Sequence, residues 1–275
     1  MRRWRKSVPF YNLKGDGLMA SVKEILDYLY TLAPEHYKMS WDNIGLMCGH
    51  ADREVTKIIV ALDASPAVAE EAMAHGCELA VVHHPLVFVT TPSVSDMTLT
   101  GKRLLSYLEN GIAVISMHTN LDCAPGGVND ILAQKLGLRN VQVLEDGEME
   151  HLVRYGEVTP QSLAQFVPFV KQQLGCEGLR YVDGGKQVQR VAVGGGACGE
   201  YTQQLSALGC DTFVTADVGY HRFADAQEMG VNLIDAGHFE TENAVCACLA
   251  EKLRAAVPNI EVFESETHKD CIKFA

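Results

Sequence analysis

The 275-residue sequence has no apolar run approaching the length of a membrane span, which excludes an integral helical anchor within it. It also lacks a basic surplus. The formal net charge of -12 leaves no cationic face for sequence-independent nucleic-acid binding or for anionic membranes. No Cys-x-x-Cys spacing occurs among the nine cysteines, whose number is odd. Neither a disulfide framework nor a thiolate zinc site is expected, and reduced, mostly buried thiols in a cytoplasmic protein are. The glycine run Gly194–Gly196 lacks the Gly-Lys-Ser/Thr ending of a nucleotide-binding P-loop. Met1–Lys6 is basic, yet no signal-peptide core follows. Residues 1–18 are read as a non-native or disordered extension, with translation starting at Met19, just before the capping box that opens at Ser21.

What is present is a 47% hydrophobic chain with material for a large core. From Lys57 onward strands and helices alternate. Lys57–Asp63 reads as a strand, and Ser65-Pro66 caps a helix ending near Gly76. Leu79–Val82 is a buried strand. A helix around Lys102–Glu109 stops at Asn110-Gly111, and Ile112–Met117 is the next strand. Such alternation predicts parallel strands with right-handed crossovers and a ligand site at their carboxyl ends. His83, His84 and His118 fall there. Successive strand residues face opposite ways, so both rings of His83-His84 reach one centre only if the backbone turns, or else each serves its own ion.

The second half resembles the first. Lys57–Glu78 lies over Arg190–Asp211 without a gap, and each half then runs through a strand to a histidine with a carboxylate four residues on: His118 with Asp122, His238 with Glu242. The predicted fold is α/β, with two interlinked, internally repeated domains of mainly parallel strands and a metal site in the cleft between them. The halves are placed at 19–140 and 141–275, with exchange of an element allowed. This arrangement would set His83, His84 and Asp122 opposite His238 and Glu242. Imidazole and carboxylate donors suit zinc, iron or manganese. A carboxylate bridging two such divalent ions leaves each an open position, where water becomes hydroxide near neutral pH.

These residues, together with Ser40–Leu46, His83–Leu86, His118–Asp122 running into Pro125–Asp130, Asp217–His221 and Gly237–Glu242, resemble the GTP cyclohydrolase 1 type 2 homologues, also called Ngg-interacting-factor-three-like or dinuclear-metal-centre proteins. The likeness covers nearly everything from Met19 onward and fits the short form without the inserted domain. It implies that His83, His84, Asp122, His238 and Glu242 bind two metal ions, with Glu242 as the bridge, in a ring-shaped homohexamer. The family name implies hydrolytic opening of the imidazole ring of GTP or a related nucleotide. His118 and His221 are then the groups that handle protons, and Lys102, Arg103 and Arg222 the cationic partners of phosphate. A two-metal phosphoesterase and a non-catalytic metal-binding regulatory or scaffold hexamer are the alternatives. The family's Gly-Leu-Gly-Arg-like turn is replaced by His151-Leu152-Val153-Arg154.

Further expectations come from the residues. Gly194–Gly199 packs its backbone against a metal-bearing neighbour or else cradles phosphate. The turn at Pro125-Gly126-Gly127 opens a helix near Val128 whose backbone N–H groups are available to an anion. Trp41 either packs its loop or offers a stacking platform, and Asp217 with His221 marks a helix start. His36, His50, His75, His151 and His268 lack carboxylate neighbours at useful spacing and are expected at the surface.

Overall fold

The computed structural model describes residues 19–145 and 151–275, so the proposed extension at 1–18 lies outside the described residues. The chain opens with β1 (Ala20–Ser21), α1 (Val22–Leu32), β2 (Gly45–Cys48), β3 (Glu54–Val55) and β4 (Lys57–Ala61), followed by α2 (Pro66–His75), β5 (Leu79–Val82), α3 (Leu99–Leu108), β6 (Ala113–Ser116) and α4 (Thr119–Cys123). It continues with α5 (Val128–Lys135), β7 (Arg139–Val143), β8 (Arg154–Gln161), α6 (Leu163–Leu174), β9 (Arg180–Val182) and β10 (Val188–Val193). Then come α7 (Thr202–Ala207), β11 (Thr212–Thr215), α8 (Tyr220–Glu228), β12 (Asn232–Asp235), α9 (His238–Glu242), α10 (Ala244–Ala256) and β13 (Glu261–Glu264).

Local chemistry places the helix ends. Ser21 and Glu24 exchange bonds in the expected capping box, while Ser65 caps α2 with Pro66 in its first turn. Each cap contributes about 1 kcal/mol. Gly76 ends α2 in the left-handed region at φ 71°, a conformation glycine adopts without steric cost.

Two compact units result. The first ends at Ala124 but takes back Val245–Lys269; the second comprises Pro125–Ala244 and Asp270–Ala275. In the first, β13, β4, β5 and β6 are successive parallel neighbours, and β2 closes the β6 edge antiparallel. Its core packs Ile59, Val82 and Val114 against Val68, Ala72 and Tyr107 of the covering helices. In the second, β10, β11 and β12 are parallel, flanked by antiparallel β8 and β7 on one side and β9 on the other. The mixed α/β class is as predicted, and a parallel triad with an antiparallel strand beyond its third member occurs in both units.

The division differs from halves at 19–140 and 141–275. Leu132, Leu136 and Leu138 pack with Phe166, Val191 and Val214, which ties α5 and the approach to β7 to the second core. Conversely β13 pairs in register with β4, from Glu261 opposite Lys57 to Glu264 opposite Val60, and so restores a late segment to the first unit. Among the described residues no helix is long and apolar enough to cross a membrane.

Candidate metal centre

In the first unit β5 ends at Val82, and the chain turns sharply. The N–H groups of both His83 and His84 donate to the single carbonyl of Leu62, at 3.1 and 2.8 Å. This is the turn that two consecutive rings need if they are to face one point, and it brings them to 5.0 Å between centroids. His83 is fully buried. Its Nδ1 lies 2.8 Å from the carbonyl oxygen of Met117. A carbonyl only accepts, so the proton sits on Nδ1 and the lone pair of the neutral ring on Nε2. His84 Nδ1 is similarly fixed, 2.8 Å from Asp63 Oδ1.

His118 precedes α4, and its carbonyl accepts the N–H of Asp122 at 3.1 Å, so the ring and the carboxylate are presented by one helical turn. The His118 ring does not orient Asp122; its Nδ1 is held by Asp42 Oδ1 at 2.8 Å. Asp42 also accepts from the Thr119 N–H and hydroxyl and from the Asn43 N–H. Burial pushes the Asp42 carboxyl up, but the bonds from His118 and Thr119 outweigh it and hold it below the ordinary aspartate value. Ring nitrogens of His83, His84 and His118 lie within 4.8 Å of one another, a group able to hold a metal ion. Asp122 is 5% exposed, and its Oδ1 stands 3.5 Å from His83 Nε2.

The second unit carries its own pair. His238 and Glu242 begin and end the short α9, so that His238 Nε2 lies 3.1 Å from Glu242 Oε2. Asp217, at φ 53° in the loop after β11, fixes His238 Nδ1 at 2.6 Å. Two ligands roughly 2.1 Å from a tetrahedral ion stand about 3.4 Å apart. The 3.5 Å separation of His83 from Asp122 and the 3.1 Å separation of His238 from Glu242 both suit that edge. In each unit, imidazole with Nδ1 engaged and a buried carboxylate therefore suit a divalent ion. A cation would offset the desolvation of Asp122 in the first unit, and one in the second unit that of Glu242, which is only 4% exposed.

The glycine run serves Glu242 and not phosphate. The Gly195 N–H donates to Asn129 Oδ1 at 2.7 Å, the Gly196 N–H to Thr241 Oγ1 at 3.1 Å, and the Cys198 N–H to Thr215 Oγ1 at 3.1 Å, which occupies the amides an anion would need. A Cβ at Gly195 would come 3.1 Å from Glu242 Cγ, and one at Gly196 would collide with Glu242 Oε1. At the start of α5, the Gly126 N–H is taken by Asp130, which is paired in turn with the buried Arg154. The anion position expected there is filled from within the chain.

Other expectations fare differently. His221, on the first turn of α8, is exposed and meets Tyr220 edge-on at 5.5 Å. Asp217, expected beside it, bonds His238 instead, and Gly219 caps the helix. Lys102 and Arg103 are exposed on α3, while Arg222 shares a groove with Asp225 and Glu228, whose carboxylates oppose phosphate binding. Trp41 is 56% exposed and sits edge-on to Phe88 and His118, at 5.8 and 6.3 Å, so it does not pack into a core. His268 departs from its expected surface position: its side chain is 7% exposed, with Nε2 3.0 Å from Asp63 Oδ2. The carboxylates Asp63, Asp42 and Asp217 escaped the sequence reading as histidine partners. Asp63 and Asp217 each follow a parallel strand, the position that marked the histidines, and that rule applied to acids would have found them.

The family model described as Duf34/NIF3 (NGG1p interacting factor 3) matches residues 20–271. The chain belongs to the Duf34/NIF3 family. Among curated relatives, the GTP cyclohydrolase 1 type 2 homolog of Clostridium perfringens is 31% identical over 92% of this chain and 99% of its own length. The GTP cyclohydrolase 1 type 2 of Helicobacter pylori is 33% identical, over 86% of this chain and 93% of that one. A crystal structure of a Staphylococcus aureus protein aligns with a TM-score of 0.85 at 27% identity, covering 93% of this Duf34/NIF3 chain and 99% of the other.

Proposed function

We propose that this protein is a metal-dependent hydrolase of the GTP cyclohydrolase 1 type 2 kind, in which His83, His84, Asp122, His238 and Glu242 hold two divalent ions, zinc, iron or manganese. The observation that carries the reading is the state of the rings. His83, His84 and His238 each have Nδ1 fixed by an acceptor that cannot donate, which reserves Nε2 for a cation. Glu242, beside His238, would be one of the residues that hold the ions in this reading.

Divalent ions bound there supply a water of lowered pKa and polarise the bond to be cleaved. The residues do the rest. In this reading His118, steadied by Asp42, gives a proton to a departing nitrogen, and His221 serves as a more exposed proton donor or acceptor. Trp41 and Phe88 wall the approach to His118. The substrate class is a purine nucleotide attacked at a ring carbon, by analogy with the relatives' name. The proposal includes a homohexameric assembly and a cytoplasmic location, the latter in keeping with nine unbridged cysteines.

Incubation of metal-loaded protein with GTP, followed by assay of formate, tests the activity. Formate release that is lost in His83→Ala supports it. Fully loaded protein that releases none from GTP refutes that substrate assignment and favours a binding or regulatory role.

A further inference from the structure

Beyond β13 the chain continues as Ser265–His268, a strap whose anchoring is built with care. One carboxylate, that of Glu71 on α2, accepts from Ser265 Oγ at 2.5 Å, from the Glu266 N–H at 2.7 Å, and from the N–H and hydroxyl of Thr267 at 3.2 and 2.7 Å. The Ser265 N–H adds a bond to the carbonyl of Val60 at 2.9 Å, and Ser265 Oγ accepts the N–H of His268 at 3.1 Å. This turn delivers the His268 ring, largely buried, to Asp63. His268 Nε2–H donates to Asp63 Oδ2 at 3.0 Å while His84 Nδ1–H donates to Asp63 Oδ1 at 2.8 Å.

Asp63 lies in the turn between β4 and α2 with half of its side chain in water. A carboxylate so exposed, held by one ring alone, is free to rotate about its side-chain bonds. Two N–H donors, one on each oxygen, fix both its position and its plane. With one ring donating to each of its oxygens, Asp63 is the acceptor of both bonds and the His84 proton sits on Nδ1.

We infer that His268 is a positioning residue for the metal centre: through Asp63 it fixes the tautomer and ring orientation of His84, and Glu71 holds the strap that carries it. This rests on the metal-binding role of His84 proposed above. Loss of a metal-bound histidine's direct partner lowers metal affinity roughly 10- to 100-fold, so removing His268, one bond further out, is expected to cost about threefold to tenfold.

The test uses the full chain stripped of metal, with Zn2+ affinity measured by competition against a chromophoric chelator and the Co2+ visible spectrum recorded alongside. His268→Ala is expected to weaken Zn2+ binding and alter the Co2+ spectrum without lowering the thermal midpoint of the metal-free protein. His268→Gln, whose amide N–H can replace Nε2–H, is expected to restore most of both. Glu71→Ala should weaken binding in the same direction. Unchanged Zn2+ affinity in His268→Ala overturns the inference alone. So does an equal loss in the Ala and Gln variants that tracks a lower midpoint of the metal-free protein, since that marks a merely structural role. Failure of the unaltered protein to take up Zn2+ overturns both this inference and the metal-binding role.

Discussion

Substituting Gly196 separates a backbone effect from a site effect. Gly196 has φ +63°, and a Cβ there would strike Glu242 Oε1 and come 3.2 Å from His238 Cε1 and Nε2. Gly209 has nearly the same conformation, φ +78°, with nothing within 4 Å of its would-be Cβ. Alanine in the left-handed region costs about 1–2 kcal/mol wherever it is placed. Gly209→Ala therefore measures that backbone cost, and Gly196→Ala carries it plus the collision. Relief of the collision moves the Glu242 carboxylate by roughly 1 Å, a displacement at which preorganised sites lose most of their advantage. Thermal unfolding of the metal-free variants should show similar destabilisation. Zn2+ competition should show affinity reduced on the order of 10- to 100-fold in Gly196→Ala and unchanged in Gly209→Ala. Equal affinities in the two variants would refute the claim that this loop exists to make room for a liganding Glu242.

Three further outcomes are expected. Asp63→Asn and Asp217→Asn, which replace an obligate acceptor of Nδ1–H with a group that can also donate, should each lower Zn2+ affinity about 10-fold or more while circular dichroism is unchanged; full retention of affinity contradicts the tautomer argument. For Glu71, desolvation raises the carboxyl but four hydrogen-bond donors in the strap bring it down to about 2, so its stabilisation is present above the ordinary value of 4.5 and is lost as pH falls from there towards 2. Equilibrium urea unfolding at pH 6, 4.5 and 3 should show that acid loss reduced in Glu71→Gln, and an equal slope in both proteins tells against the strap. Finally, burial pushes the thiol of Cys77 up to about 12 and those of Cys48, Cys176 and Cys210 up to about 11, whereas Cys271 is exposed. An aromatic disulfide reagent at pH 8 should label Cys271 first and those four only on unfolding, read by mass spectrometry of the labelled peptides.

What the sequence revealed was local. The caps at Ser21 and Ser65, the stop at Gly76, the strand before His83 and the histidine-carboxylate spacing of α9 depend on residues a few positions apart, and they stand where periodicity placed them. The partners of the histidines were hidden because the fold creates them. Asp63 is 21 residues from His84, Asp42 is 76 from His118, and His268 is 205 from Asp63. His268 illustrates the limit, since a lone histidine near the end of a chain looks solvated until the parallel pairing of β13 with β4 delivers it beside the first strand. The glycine run was legible as a close approach of backbone, and its neighbour Glu242 became evident only with the loop's amides assigned to Asn129 and Thr241. The division between units was obscured by α5, whose apolar face is satisfied by α6 and β10 although it follows the first half directly in sequence.

The metal content of protein purified without added metal, measured by elemental analysis against chain concentration, bears most directly on the proposal of a paired-ion centre. Two divalent ions per chain, falling to one or none in both His83→Ala and Glu242→Gln, is the predicted result. A folded protein that carries no divalent ion and takes up none on titration, or whose stoichiometry is untouched by those substitutions, would contradict it.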